Sequence, residues 1–126
     1  MIFLLSLFCL FQSYLAGEIK VVYTAALLDS FYEERKIEYL RSLQALRKLH
    51  ITPYIVESCR TSSFFDKERA FVFYSQTNDT SLKNKGINEA ISLQKAMDYY
   101  RFHDEDILIK LTGRYCFLNG HFFSEI

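Results

Sequence analysis

Residues 84–115 limit the fold more than any other stretch, because a helix pattern and a strand pattern follow one another there with short turns between them. The apolar side chains of the first part recur at the spacing of one helix face: Leu93, Ala96, Met97 and Tyr100. That spacing predicts a helix with one buried face. Residues 107–111 are apolar except for Lys110 and predict a buried strand that leads to Thr112.

The rest of the chain predicts further strands and helical segments. Residues 19–24 and 54–56 have the composition of strands, and residues 70–74 have the continuously apolar composition of a buried strand. Strands separated by helical segments favour a mostly parallel sheet with right-handed crossovers. The predicted fold class is therefore α/β: a three-layer, Rossmann-like and mostly parallel sheet with helices on both faces.

One of these helices is predicted to begin near Phe31 and to end before Pro53. Asp29 or Ser30 could cap it by accepting an amide hydrogen bond. Its buried stripe is predicted from the apolar spacing to contain five side chains: Ile37, Tyr39, Leu40, Leu43 and Leu46.

Composition and charge exclude several classes of protein. A chain of 126 residues is one domain at most, and a hydrophobic content of 50% with twelve Phe and nine Tyr is that of a globular core. Fifteen basic residues balance fifteen acidic ones, so there is no overall field that would attract nucleic acid or an anionic membrane. Any site for an anion has to be local.

Residues 1–17 have the layout of a secretory signal peptide, with an apolar run at 2–11 followed by small residues. The run is shorter than the ~20 residues of a spanning helix. We therefore expect processing near Gly17 and a location in the secretory pathway, periplasmic or secreted. A short signal anchor, which would be the only membrane contact, and a buried first strand are the alternatives.

The cysteines leave two alternatives open. If residues 1–17 are removed, Cys59 and Cys116 are the remaining thiols, and both follow predicted strands. A disulfide in an oxidising compartment and two free thiols are equally compatible with this placement. Asn78, Asp79 and Thr80 also fit an N-glycosylation acceptor.

Asn84, Lys85 and Gly86 precede the second predicted helix and form a candidate anion site. Gly86 is predicted to be its N-cap, in a backbone conformation that glycine favours, with Glu89 at the third helical position. Free amides at the positive helix end, beside Lys85, could hold a phosphate. A purely structural turn is the alternative.

Thr112, Lys110 and Arg114 are candidate ligand contacts at the carboxyl end of the last strand, where open parallel sheets bind ligands. An ammonium group within an apolar strand has to pair with a carboxylate, reach solvent or contact a bound anion. Arg114 could bind a diphosphate or a carboxylate through two hydrogen bonds, and a structural ion pair is the alternative.

Residues 103–106 have the composition of a metal site, but they precede the strand and should lie at the amino end of the sheet. A solvated turn is therefore expected. The three histidines lack ligand-like spacing, and the sequence supports no Ser-His-Asp or Cys-His arrangement. No metal site is predicted.

The order Asn84-Lys85-Gly86, then Asn88-Glu89-Ala90, an amphipathic helix, an acidic turn and a hydrophobic strand resembles the core of GT-A-fold glycosyltransferases, especially bacterial nucleotide-sugar transferases. In that family an Asn-x-Gly motif, a helix and a strand ending in Asp-x-Asp follow one another. The resemblance covers residues 19–115 in element order and residues 84–115 in motif. It implies a nucleotide sugar as substrate, with Thr24, Ala25 and Glu57 at the strand ends that contact the nucleotide.

This chain departs from the family pattern in two respects. Leu111-Thr112-Gly113-Arg114 stands where the family places the Asp-x-Asp that holds a divalent metal. Lys110 and Arg114 could neutralise the diphosphate instead, so we expect no divalent metal and no cofactor. The chain also stops eleven residues after Tyr115, before the acceptor-binding half that the resemblance implies, and is therefore predicted to be a fragment.

The leading functional hypothesis is the donor-binding half of a glycosyltransferase-like protein, which transfers a sugar to an unspecified acceptor when completed by the missing half. A non-catalytic domain that binds sugar nucleotides is one alternative. A small secreted α/β interaction protein is another, and in that case the charges of Lys110 and Arg114 are structural.

Overall fold

The computed structural model describes residues 17–59, 61 and 63–126. Its sheet has four strands: β1 (Ile19–Ala25), β2 (Tyr54–Glu57), β3 (Phe71–Tyr74) and β4 (Ile107–Thr112). The spatial order is β3-β2-β1-β4, and every neighbouring pair is parallel. The described part also contains three α-helices: α1 (Tyr32–Lys48), α2 (Lys85–Tyr100) and α3 (His121–Ser124). The predicted α/β class and parallel sheet are confirmed.

Helices cover both faces of the sheet, because alternate residues of β1 meet different helices. One set of β1 side chains joins α1 in the main core cluster: Val21, Tyr23 and Ala25, with Tyr39, Leu43 and Leu46. The side chain of Thr24 points to the other face, where it bonds to Glu89 of α2. The three-layer arrangement follows from this alternation.

The connections place a crevice between β1 and β4. The chain proceeds from β1 outward through β2 to β3 and then returns across the sheet to β4, on the other side of β1. Right-handed crossovers that run in opposite directions along a sheet put their helices on opposite faces, as α1 and α2 are here. The reversal leaves a crevice at the carboxyl ends of β1 and β4, where α/β proteins bind ligands.

Strand β4 is less buried than the sequence predicts. It lies at the edge of the described sheet, Ile107 is 48% exposed, and Leu111 is its one buried residue. The prediction of a buried strand was wrong for β4 and also for β3, which lies at the other edge of the described sheet and has no buried residue. An apolar run does not reveal whether a strand has neighbours on one side or on two.

Helix α1 begins at Tyr32, and its N-cap residue Phe31 provides no side-chain hydrogen bond. The predicted cap was wrong, because Asp29 and Ser30 belong to a short 3-10 helix instead (Asp29–Phe31). The buried residues of α1 are Tyr39, Ser42, Leu43 and Leu46. Of the five residues in the predicted stripe, three are therefore buried, while Leu40 is half-buried and Ile37 is 60% exposed.

The buried face of α2 is more polar than predicted. Asn88, Ser92 and Ala96 are its buried residues, while Met97 is exposed and Tyr100 is half-buried. The polar residues lie at the start of the helix, next to the carboxyl ends of the strands. The hydroxyl of Tyr100, further along, donates a hydrogen bond to the Ile55 carbonyl (2.7 Å) and fixes the other end of α2 on the sheet.

The acidic turn at 103–106 closes the amino end of the sheet. The Asp106 carboxylate accepts the backbone amides of Glu18 and His103, both at 2.9 Å. Those bonds, that of Glu18 first, lower the pKa of Asp106 below its ordinary value. The turn is therefore a structural clasp between β1 and β4, at the end of the sheet where the sequence places it.

Three other predictions concern the chain ends and the thiols. The signal-peptide prediction falls on residues 1–17, of which the described part includes only Gly17. Within the described residues, no helix has both the length and the apolar character that membrane crossing requires. Cys59 and Cys116 are not joined by the disulfide that was one of the two alternatives.

Candidate functional site

A cavity of about 300 Å³ lies in the crevice at the carboxyl ends of β1 and β4. This is the lower end of the range for small-molecule sites. Six of the nine residues predicted to bind a ligand line it: Thr24, Ala25, Lys85, Gly86, Thr112 and Arg114. The other three, Glu57, Asn84 and Lys110, hold the surrounding structure in place.

The turn that carries Arg114 is fixed from both sides. The buried Tyr23 hydroxyl donates a hydrogen bond to the Gly113 carbonyl (2.8 Å), and the Ser42 hydroxyl donates one to the Tyr115 carbonyl (2.6 Å). The Gly113 amide donates to the Thr24 carbonyl (2.9 Å). Burial raises the pKa of Tyr23 far above its ordinary value, so this hydroxyl remains a donor. The backbone around Arg114 is therefore preorganised.

The Arg114 side chain itself is exposed and lines the cavity. Among the described residues it forms no hydrogen bond or ion pair, so the alternative of a structural ion pair is not realised there. Arg35 of α1 and Lys85 of α2 also line the cavity. The sequence analysis did not identify Arg35, which lies on a helix far from the predicted motif.

Lys110 forms an ion pair with a carboxylate. Its ammonium lies 2.7 Å from Oε1 of Glu89 on α2 and donates to the Thr112 hydroxyl (3.0 Å). Thr24 and Thr112 donate to the same Glu89 oxygen, at 2.7 and 3.2 Å. Of the three roles that the sequence allowed for Lys110, the structure shows the pairing with a carboxylate.

These contacts decide the charge state of Glu89. Partial burial alone would raise the pKa of the Glu89 carboxyl, but the hydrogen bonds from Lys110 and Thr24 outweigh it, and the pKa lies below its ordinary value. Glu89 is therefore ionised at neutral pH, and its negative charge is balanced by the Lys110 ammonium.

A lowered pKa in the folded state predicts a loss of stability in acid. The contribution of Glu89 is present above the ordinary glutamate pKa of about 4.3 and is lost as the pH falls through the lower folded value. We expect the free energy of unfolding to fall less steeply between pH 5 and pH 3 in Glu89→Gln than in the wild type, as measured by urea unfolding. Lys110→Met should reduce the same slope, and an unchanged slope in both variants would contradict the assignment.

The predicted anion site at the start of α2 is partly occupied by its own cap. Asn84, not Gly86, is the N-cap, and its side-chain oxygen accepts the Gly86 amide (3.0 Å), while its carbonyl accepts the Ile87 amide (3.2 Å). Gly86 does not have a positive φ. The predicted cap and the capping role of Glu89 were therefore wrong, and two amides that seemed available are in use.

Glu57 has a structural role on the opposite face. Its side chain is fully buried, and Oε1 accepts the amides of Leu27 (2.9 Å) and Cys59 (3.0 Å). These amides belong to the loops that follow β1 and β2. Glu57 therefore ties together the two loops beside the cavity but does not line it. The alternation of β2 turns its side chain towards α1.

A loop held by α2 forms another wall of the cavity. Asn88 accepts the Asp79 amide (3.1 Å) and donates to the Asp79 carbonyl (2.7 Å) and to the Asn78 side-chain oxygen (3.3 Å). Ser92, one turn further on, bonds to the Thr77 hydroxyl (2.8 Å). Asn88, although part of the motif that carries the family resemblance, was assigned no site role from the sequence, and Ser92 was not identified, although their spacing of four on a predicted helix was a detectable signal. Asn78 of the glycosylation motif lies in this wall.

Comparison with protein-family models, with curated proteins and with solved structures gives no match for this chain. Within the part of the chain that the structure describes, no three His, Cys, Asp or Glu side chains are grouped as metal ligands. The functional assignment therefore depends on the geometry of the cavity and on the chemistry of the side chains around it.

Proposed function

We propose that this protein binds a nucleotide diphosphate sugar in the cavity at the carboxyl ends of β1 and β4, as the donor-binding part of a glycosyltransferase-like protein. The observation that carries the proposal is the placement of Arg114. A turn fixed by Tyr23 and Ser42 presents this arginine at the cavity without a partner among the described residues. A planar guanidinium in such a position suits the paired oxygens of a diphosphate.

The other charges around the cavity support an anionic ligand. Arg35 and Lys85 add two cationic groups to the lining. Of the acidic lining residues, Glu89 is neutralised by Lys110, and Asp79 accepts hydrogen bonds from the amide and the hydroxyl of Ser81. Lys110 is not one of the lining residues, and Arg35 supplies a positive charge that was not predicted from the sequence.

Sugar transfer is the activity that the resemblance of residues 84–115 implies, and binding without turnover is the alternative. Release of free nucleoside diphosphate during incubation with the donor separates the two. A protein that binds the donor tightly but releases no nucleoside diphosphate with any of a set of acceptors would be a sugar-nucleotide-binding domain.

Arg114→Ala is expected to weaken binding of the nucleotide sugar roughly ten- to hundredfold, because a charge-assisted hydrogen bond contributes ~1.5–3 kcal/mol. Isothermal titration calorimetry with UDP- and GDP-sugars measures the change, first in a chelator and then with manganese. The affinity of Arg114→Lys should lie between those of the wild type and Arg114→Ala, because lysine keeps the charge but loses the bidentate geometry.

Arg41→Ala provides the matched control, because Arg41 is exposed on α1 and does not line the cavity. Its affinity should equal that of the wild type. Tight binding that requires manganese and is insensitive to Arg114→Ala would contradict the proposal. A folded protein that binds no nucleotide would favour the interaction-protein alternative.

A further inference from the structure

The two oxygens of the Glu89 carboxylate have different environments. Oε1 takes all three side-chain hydrogen bonds, from Thr24, Thr112 and Lys110. Oε2 makes none with the residues that the structure describes. Glu89 lines the cavity, and its side chain is 35% exposed. Oε2 is therefore a fixed acceptor that remains available to a bound molecule.

The neighbouring hydroxyl groups have no proton left to offer. Thr24 and Thr112 each donate their single hydroxyl proton to Glu89 Oε1, and the Thr112 oxygen also accepts from Lys110. A hydroxyl has one donor, so what these side chains can still present to the cavity is lone pairs. This part of the wall therefore selects for hydrogen-bond donors on the ligand and disfavours phosphate oxygens, which only accept.

We propose that Glu89 is a specificity-determining residue, which recognises a hydroxyl group of the bound molecule through Oε2. The inference rests on the proposed function and deepens it. The phosphates lie towards Arg114 and Arg35, and the hydroxyl-bearing part lies towards Glu89. That part is either the ribose or the transferred sugar, because both carry vicinal hydroxyl groups.

The first test needs no substitution. For a nucleotide sugar that binds the wild-type protein, calorimetry compares it with its 2′-deoxyribose analogue, with sugars that lack single hydroxyl groups, and with the nucleoside diphosphate alone. Removal of the recognised hydroxyl should weaken binding roughly 10- to 100-fold, as expected for a hydrogen bond to a charged group. A loss confined to the 2′-deoxyribose analogue assigns the ribose, and a loss confined to a deoxysugar assigns the sugar.

The second test is Glu89→Gln. The amide has nearly the shape of the carboxylate and can keep an acceptor towards Thr24, but its nitrogen can meet a ligand hydroxyl only as a neutral donor, so the stronger bond to a charged acceptor is lost. We expect roughly 10- to 100-fold weaker binding of the hydroxylated ligand and an unchanged affinity for the analogue that lacks the recognised hydroxyl. Glu105→Gln is the control, because it removes the same charge at an exposed position outside the cavity.

Three results would overturn the inference. Equal affinities of the wild type for all the hydroxyl-deficient analogues would show that no hydroxyl is read. An equal loss for every ligand in Glu89→Gln would mean that Glu89 acts through the fold or through its charge. Failure of the wild type to bind any nucleotide sugar would overturn the proposed function, and the inference with it. This result is distinguishable from the first two, because in those cases the wild type still binds the nucleotide sugar.

Discussion

Glu57→Ala is expected to lower the free energy of unfolding by about 1–3 kcal/mol, the range for a buried donor that loses its acceptor. The substitution removes the carboxylate oxygen that accepts the buried amide of Leu27 and the half-buried amide of Cys59. Leu27 is fully buried, so water cannot replace the lost acceptor there without opening the core. Urea unfolding, followed by circular dichroism, measures the loss.

Glu57→Gln is the matched control for this prediction. It keeps an acceptor oxygen at nearly the same position, so it should be considerably less destabilising than alanine. Equal losses for the two substitutions would show that the carboxylate charge, and not the two hydrogen bonds, is the stabilising feature. Because the affected loops border the cavity, ligand affinity should also fall in Glu57→Ala, although Glu57 does not line the site.

Gly113→Ala is expected to destabilise the protein by an amount at the upper end of the ~1–3 kcal/mol range that is typical of overpacked cores, or above it. A Cβ at this position would lie 2.5 Å from the nearest ring atom of Tyr23 and 2.7 Å from its hydroxyl oxygen. That ring cannot move aside easily, because it is fully buried and its hydroxyl is bonded to the carbonyl of Gly113 itself. Thermal unfolding measures the effect.

Gly120→Ala offers a comparison within the same chain. A Cβ there would meet Leu49 at 3.4 Å, which is an ordinary contact, and the φ of Gly120 is −87°, which alanine adopts readily. Its stability should therefore change little. Gly113→Ala should in addition weaken nucleotide-sugar binding, since a displaced turn moves Arg114. A wild-type melting temperature for Gly113→Ala would contradict the role given to Tyr23.

The close approach of Tyr23 to Gly113 explains a motif that the sequence could only locate. The sequence placed Thr112, Gly113 and Arg114 at a strand end, which is where they lie. It gave no reason for the glycine, because Tyr23 is ninety positions away. The structure explains it: because Gly113 has no side chain, a buried tyrosine can approach the turn and fix it through a hydrogen bond.

Local patterns were sufficient for the order of strands and helices and for the α/β class, because apolar periodicity reports which side of an element is buried. They were insufficient at the boundaries where a neighbour decides the outcome. The N-cap of α2 is Asn84 and not Gly86, because the Asn84 side chain turns back to accept the Gly86 amide, and the burial of β4 depended on its having one neighbour in the described sheet.

The sequence by itself therefore determined which chemical groups reach the carboxyl ends of the strands, since a strand delivers whatever follows it to that edge. Only the tertiary structure decided which of those groups are still available. The register that pairs Thr24 with Thr112 sets two hydroxyls side by side, and the packing of α2 brings Glu89 to both of them and to Lys110. Glu89 is 23 and 65 positions away from these two threonines, so no local pattern could reveal the bonds between them. From the sequence, Lys110 and Arg114 were therefore equal candidates for ligand binding. In the fold, Lys110 pairs with Glu89, and Arg114 remains available at the cavity.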